Sequence, residues 1–280
     1  MLKPGCGYNR RTVMKQRLDV LMTERGLANS RSLAQRLVMD GKVRVDGRII
    51  RKPGVQVAED ACLELEAPPR FVSRGGEKLQ AALDAFGLQN LSGWVCADVG
   101  ASTGGFTDCL LQAGARRVYA LDVGEGILDE RLRNDSRVVV MENTNARHVV
   151  QLVEPVQFVT VDASFISLQL LLPVLRGWLT ADGQVVALIK PQFEAGREEV
   201  GRGDGVIRNP EIHRRVVLDV LNCAVGLGLR PRGFIRSPLL GPKGNVEFLV
   251  WLDVCAQPIL AEDWQRWVQD ATKEDHSRVE

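Results

Sequence analysis

The run Asp98-Val-Gly-Ala-Ser-Thr-Gly-Gly-Phe106 constrains the fold of this chain more than any other stretch. An apolar segment, Trp94-Val-Cys-Ala97, leads into an acidic residue and a glycine-rich turn. A helical pattern then runs from Gly105 to Ala113 and stops at Gly114. Strand, tight loop and helix N-terminus in this order let backbone approach a nucleotide-like ligand closely, because glycine has no Cβ and the first helical N–H groups are unpaired.

The loop departs from the dinucleotide pattern Gly-x-Gly-x-x-Gly, since Ser102 stands where the second glycine belongs. That glycine lets backbone crowd a pyrophosphate, and S-adenosylmethionine (SAM) has no pyrophosphate. Asp122 ends the next apolar run, Val118-Tyr-Ala-Leu, 22 residues after Gly100. A carboxylate there can accept hydrogen bonds from both ribose hydroxyls of an adenosine. The loop alone leaves open a glycine turn in some other α/β protein. The loop together with Asp122 favours a SAM site.

The rest of the chain fits an α/β class. From Phe71 onward, helices and strands alternate: a helix at Glu77–Phe86 stopped by Gly87, the strand into Asp98, then strands at 118–122, 138–141, Phe158–Val161 and Gln184–Ile189. Alternation of this kind predicts a doubly wound, Rossmann-like parallel sheet. Leu168–Leu179 is a strongly apolar helix suited to packing on that sheet. Residues 191–209, with four glycines and little apolar period, read as a long irregular lid or substrate loop. The runs 233–237 and 247–254 predict an antiparallel hairpin closing the sheet, and a last helix spans Leu260–Ala271 before a charged tail.

The N-terminal part has a different character. The net charge of +1 hides an asymmetry: residues 1–80 hold 16 Lys and Arg against 9 Asp and Glu, whereas 81–280 hold 20 against 26. A basic module on an acidic, catalytic-sized domain suggests recruitment of a polyanion; a merely solvated basic face is the alternative. Residues 1–13 lack apolar period and read as a disordered extension, with Met14 a possible natural start. Leu18, Leu21 and Met22 mark a short helix ending at Gly26. Asn29 or Ser30 caps a second, with Leu33, Leu37 and Val38 inward, Arg31 and Arg36 outward, and Gly41 at its end. Val43-Arg-Val, Asp46-Gly47 and Arg48-Ile-Ile read as strand, turn and strand, and Cys62–Leu65 as another. Ala67-Pro-Pro-Arg70 is a stiff linker. The expected division is 1–14 extension, 15–66 small α+β domain, 67–73 linker, 74–257 sheet domain, and 258–280 helix and tail.

No apolar run approaches 18 residues, and the N-terminus lacks a signal-peptide core, so a cytoplasmic protein is expected. Six cysteines without a Cys-x-x-Cys pair, and only three histidines, predict reduced structural thiols and no metal site.

Two resemblances add to this reading. The stretch Arg17-Leu-Asp through Val43-Arg-Val-Asp-Gly-Arg48 resembles the α-L RNA-binding module of ribosomal proteins, tyrosyl-tRNA ligases and pseudouridine synthases. Arg17, Arg31, Arg36, Lys42, Arg44 and Arg48 are its candidate RNA contacts, and nearly absent aromatics favour structured RNA over unpaired bases. In the sheet domain, Asp98, Asp122, Asp162 and Lys190 each follow a β-rich run, at the edge where open α/β sheets bind ligands. Glu247 begins a reversed strand and so shares that edge, while Lys78 opens the helix entering the domain. Lys78, Asp162, Lys190 and Glu247 match in order the tetrad of FtsJ-type ribose 2′-O-methyltransferases. The words Ser73-Arg-Gly-Gly-Glu-Lys-Leu79, Asp162-Ala-Ser-Phe-Ile-Ser167, Lys190-Pro-Gln-Phe-Glu194 and Gly244-Asn-Val-Glu-Phe248 are similar to the TlyA family, also labelled haemolysin A. The resemblance covers residues 15 to about 255.

Membership would imply SAM-dependent 2′-O-methylation of cytidine in ribosomal RNA, with ribosomal RNA or subunits as partners. It would put Gly104 and Phe106 against the methionine and adenosine of SAM, and Asp122 on the ribose. Asn145 falls where FtsJ proteins carry an acid near the adenine. The full cofactor set is then Asp98, Gly100, Ser102, Gly104, Gly105, Phe106, Asp122 and Asn145. Lys190 would be the base or the group orienting the hydroxyl. Since lysine is normally protonated at neutral pH, the choice stays open. Asp162 and Glu247 would hold the lysines.

Rival readings are a base-directed RNA methyltransferase, a non-catalytic ribosome-assembly factor and a membrane-lytic protein. Asp162-Ala-Ser-Phe165 lacks the prolines usual in amino-methylating enzymes, and no Pro-Cys offers a cytosine nucleophile. The tetrad argues against a scaffold. No segment has the length or amphipathicity for lysis.

Overall fold

The computed structural model describes residues 14–66, 69–196, 199, 205–254 and 261–272, the last helix without side-chain detail at 261–263. The expected extension 1–13, Cys6, Cys255 and the charged tail lie outside the described residues. The chain divides into two units, Met1–Pro69 and Arg70–Glu280.

In the first unit β1 (Lys15–Arg17) pairs antiparallel with β4 (Gln56–Ala58). Helices α1 (Leu18–Glu24) and α2 (Arg31–Met39) pack on each other. Ser30 caps α2 by accepting from the Leu33 N–H at 3.2 Å. Strand β2 (Val43–Val45) is central in a second sheet, with β3 (Arg48–Ile49) on one side and β5 (Leu63–Leu65) on the other. The core is Leu18, Leu21, Met22, Ala34, Val38, Val43 and Val45. Ala34 is fully buried, whereas Leu33 and Leu37 are half-buried at its margin.

The second unit is a seven-stranded sheet in the order β11-β12-β10-β9-β6-β7-β8. Its strands are β6 (Val95–Val99), β7 (Arg117–Leu121), β8 (Val138–Met141), β9 (Val156–Val161), β10 (Leu179–Ile189), β11 (Arg230–Arg236) and β12 (Phe248–Asp253). Five neighbouring strands run parallel; β12 pairs antiparallel with both β10 and β11. Strand β6 is buried along its whole length, as expected of a parallel strand covered on both faces. Side-chain alternation sorts the core into two layers. Val95, Ala97 and Val99 face a layer with α6 (Leu168–Trp178) and α8 (Pro210–Gly226). Cys96, Val118, Ala120 and Phe158 face α3 (Gly75–Phe86) and α4 (Gly105–Gln112).

Three departures from the sequence reading have local causes. Strand β10 starts at Leu179 rather than Gln184, and its pairing with β9 shifts register between these two residues. The segment after Lys190 opens with a helical turn, α7 (Pro191–Glu194), and is not irregular from its start. Helix α8 went unread, although Asn209 accepting from Glu211 N at 2.9 Å and Pro210 at the first turn are start signals. Helix α9 (Ala261–Ala271) buries Trp264 and Val268 in the main core and so belongs to the sheet unit.

Candidate methyl-transfer site

Strand register sets up the site. Val99 lies opposite Leu121 and Val161, and Ile189 opposite Phe248. One residue beyond each carboxyl end, or one before the start of reversed β12, comes a functional candidate. Gly100, Asp122, Asp162, Lys190 and Glu247 thus stand in a row along one sheet edge.

Three cavities of about 310, 300 and 470 Å³ open along this row, and Asp162 lines all three. Ser73, Lys78, Gly100, Ser102, Gly105 and Phe106 line the first. Asp122, Asn145, Val123, Ile127 and Ile166 line the second, with Gly100 and Ser102 shared between the two.

Backbone conformation builds the loop between them. Gly100 has φ +83°, and a Cβ there would lie 2.7 Å from the carbonyl oxygen of Asp162. Only glycine allows β6 to turn so close to the end of β9. Ser102, also left-handed at φ +49°, donates its N–H to Asp122 Oδ2 at 2.7 Å, and Gly124 N–H donates to Oδ1 at 2.8 Å. Each carboxylate oxygen thereby holds one backbone proton and keeps a further acceptor site for a vicinal diol.

Asn145 lines the second cavity, but its Oδ1 accepts from Arg147 N at 3.1 Å and caps the short turn 146–148. Local capping occupies the oxygen of that amide.

Two loop residues have positions that differ from the sequence reading. Asp98 is not at the strand end. It lies inside β6, on the face of Cys96 and under α4, and is fully buried. Thr107 Oγ1 donates to its Oδ2 at 2.7 Å and Thr160 Oγ1 to its Oδ1 at 3.0 Å. Burial pushes its carboxyl up to about 7, with the threonine hydrogen bonds opposing. Asp98 lines none of the three cavities and ties β6, β9 and α4 together. Strand parity was the overlooked signal, because Val99 continues the strand. Gly104, at φ +97°, faces Leu132 and Leu128, whose methyls would meet its Cβ at 2.2 and 2.9 Å. Its small size lets the 128–132 segment pack on the loop.

The tetrad is brought together. Lys78, Asp162, Lys190 and Glu247 all line the third cavity. Lys78 Nζ donates to Glu247 Oε2 at 2.5 Å, with the Glu247 side chain only 1% exposed. Lys190 Nζ lies 2.6 Å from Asp162 Oδ1, off the hydrogen-bond direction, and donates to Ser164 Oγ at 3.0 Å and to the Asp162 carbonyl at 3.3 Å. An ammonium has three N–H donors, and two of them make these aligned bonds beside the Asp162 carboxylate. Burying ions of both signs is costly unless they pair, and losing one partner strands the other.

Several wall residues went unassigned in the sequence reading. Phe165 is 91% exposed at φ +63° and packs on Phe193 with ring centroids 4.9 Å apart. Gln192 Oε1 is buried without a partner beside them. The available signal was a repeated spacing, with an aromatic three residues after Asp162 and again after Lys190.

The basic candidates of the first unit differ among themselves. Arg17 donates to Asp19 at 3.0 and 2.9 Å, Arg31 at 3.0 Å and Gln35 at 2.8 Å, around a carboxylate that is fully buried. These bonds hold the Asp19 carboxyl well below the usual range, against the cost of burial. Lys42 pairs with Glu66 at 3.1 Å, and Arg44 lies opposite Glu64 on β5. Arg36 and Arg48 are exposed.

With this geometry in hand, comparison with known proteins is decisive. The FtsJ-like methyltransferase family matches residues 71–254, and the S4 domain matches residues 16–61. The chain belongs to the TlyA family of FtsJ-like methyltransferases. It is 46% identical over 242 residues to the 16S/23S rRNA (cytidine-2′-O)-methyltransferase TlyA of Mycobacterium tuberculosis, covering 85% of this chain and 90% of that one. It is 38% identical over 236 residues to Hemolysin A of Brachyspira hyodysenteriae, covering 83% and 98%. A solved Streptococcus thermophilus structure under the hemolysin name aligns with TM-score 0.67 at 42% identity, over 93% of this chain and 96% of that one.

TlyA-family membership makes this chain an enzyme with SAM as methyl donor. The Gly100–Ser102 loop and the Asp122 carboxylate beside it line one cavity, where that carboxylate keeps acceptor sites of the kind a ribose diol needs. Among the described residues, no helix is long and apolar enough to cross a membrane. Burial pushes the Cys96 and Cys109 thiols up to about 12, which leaves them packing groups without nucleophilic character.

Proposed function

We propose that this chain transfers a methyl group from SAM to the ribose 2′-hydroxyl of cytidine in ribosomal RNA, in the cytoplasm. One observation carries the reading. Asp162 is a shared wall of the two loop cavities and of the cavity lined by both ion pairs, so the donor and acceptor sides of a transfer meet there.

SAM supplies a sulfonium methyl already activated for in-line displacement. The acceptor O2′ would give up its proton to water as it takes the methyl group. The chain's task is chiefly positioning, worth up to roughly 7–11 kcal/mol. Asp122 would accept from the ribose diol of the cofactor. Lys190, steadied by Asp162 and Ser164, would direct its Nζ at the acceptor oxygen. The pair Lys78–Glu247 would balance charge beside it. Phe165 with Phe193 offers an exposed aromatic surface for the acceptor base. The N-terminal unit would hold structured RNA through Arg36, Arg44, Arg48 and the partly engaged Arg17, Arg31 and Lys42.

The full chain with labelled SAM and ribosomal subunits, followed by nuclease mapping, tests this. Label in 2′-O-methylcytidine is expected. Label on a base, or none, overturns it.

A further inference from the structure

Two segments leave adjacent strand ends and run beside each other: Asp162–Ser167 after β9 and Lys190–Glu194 after β10. Three rungs join them. Lys190 Nζ reaches Ser164 Oγ and Asp162, and Phe193 packs on Phe165. The third rung is Glu194, whose Oε2 accepts from Ser167 Oγ at 2.5 Å and whose Oε1 accepts from Leu168 N–H at 2.7 Å. Ser167 is itself the cap of α6, accepting from Gln169 N at 3.1 Å. The Glu194 carboxylate therefore closes the first turn of an eleven-residue helix from a different segment, where unpaired N–H groups favour negative charge.

We propose that Glu194 is a positioning residue for the acceptor side of the transfer site, clasping the 162–167 segment to the 190–194 turn so that Ser164 and Phe165 stay aligned with Lys190. The substrate side of this inference rests on the function proposed above. Glu194 lines none of the three cavities, so it acts through its neighbours. Phe165 gives the physical reason for a clasp. A bulky residue at positive φ stores backbone strain and persists only where its surroundings over-determine it. Its ring faces largely open space, so contacts on its flanks must supply that constraint. The Ser167 and Leu168 bonds fix one flank, and the Lys190–Ser164 bond fixes the other. Glu194 is half-buried, and desolvation raises its pKa. Such a group leaves a void and two unpaired donors when truncated.

The test compares Glu194→Ala with Glu194→Gln in the full chain. Glu194→Ala is expected to lower kcat/KM for ribosomal subunits on the order of 10- to 100-fold, as misplacement of reacting groups does. SAM affinity should fall by a clearly smaller factor, because the clasped segment is only one wall of the second cavity and the Gly100–Ser102 loop and Asp122 supply the rest. Glu194→Gln keeps an acceptor for Leu168 N–H and an amide for Ser167, and should restore most activity. Hydrogen exchange should quicken at residues 163–168 in Glu194→Ala and stay unchanged at 100–106. Should Glu194→Ala fail to fold, Ser167→Ala removes one bond of the clasp and should give a smaller loss of the same kind. Unchanged kcat/KM in folded protein, a parallel fall in SAM affinity, or a Gln variant as poor as Ala would overturn the proposal. The exchange readout needs no methyl transfer, so an inactive wild type would sink the functional reading and leave the clasp to be judged by exchange.

Discussion

The chain contains two clusters of opposite charges around buried acids, and they have different consequences. In the N-terminal unit one fully buried carboxylate, Asp19, gathers Arg17, Arg31 and Gln35, while both arginines keep large exposed faces of 42% and 54%. In the sheet unit acids and lysines are buried together, Lys78 at 12% exposure and Lys190 at 10%, and all four line one cavity. The first arrangement satisfies itself and staples α1 to α2. The second keeps mutually neutralised charges beside a void, which an acceptor can enter. Charge density therefore does not mark a reaction site; charges of both signs withdrawn from water next to empty space do.

The largest expected effect breaks the comparison at the Lys190 cluster. Lys190→Ala should lower kcat on the order of 10²–10⁴-fold, with SAM affinity nearly unchanged by calorimetry. Lys190→Arg should not rescue it, since the planar guanidinium cannot take the place of Nζ between Ser164 and Asp162. Turnover near normal in a folded variant would reduce the cluster to a structural one like that around Asp19.

Next in size, Asp122→Ala should weaken SAM binding by about 1.5–3 kcal/mol, the loss of a charged acceptor. It also frees the Ser102 and Gly124 N–H groups. Equal affinity in a folded variant would remove Asp122 from the cofactor site.

The N-terminal end of the comparison is sharpened by Arg36→Ala, Arg44→Ala and Arg48→Ala together, which spare the Asp19 cluster. The log–log salt slope of RNA binding should shrink by roughly 0.9 per lost duplex contact, with SAM binding intact. An unchanged slope would make the excess basic charge a solvated face.

The last effect falls on stability rather than on turnover or binding, and concerns Asp98. Its carboxyl sits near 7 when folded and near the ordinary aspartate value of about 3.9 when unfolded. The folded state thus holds its proton longer, and stability should decline as pH rises between those values. Asp98→Asn should flatten thermal unfolding across that window. An unaltered pH dependence would show that Asp98 does not titrate with folding.

Much of this was legible along the chain because the signals are local. The strand, glycine loop and helix at 95–112 follow from apolar run, glycine and period, and Ser30 caps α2 as its residue type dictates. Helix α8 carries its own local start signals, Asn209 and Pro210, directly behind a glycine-rich stretch without apolar period. Asp98 was misread for a subtler reason. Its position in sequence is that of a ligand residue, yet one further residue of strand turns it toward α4.

What the sequence determined by itself was the family, the strand, loop and helix at 95–112, and the spacing that makes Lys78, Asp162, Lys190 and Glu247 candidates, since residue types at fixed spacing carry them. Only the tertiary structure decided which charges pair, that Asp19 engages Arg17 and Arg31, that Asp98 is buried, and that Glu194 spans two segments. Those outcomes depend on contacts between residues far apart in the chain, such as Lys78 with Glu247 at a separation of 169. Strand register and burial create them, and neither is a property of any one stretch of sequence.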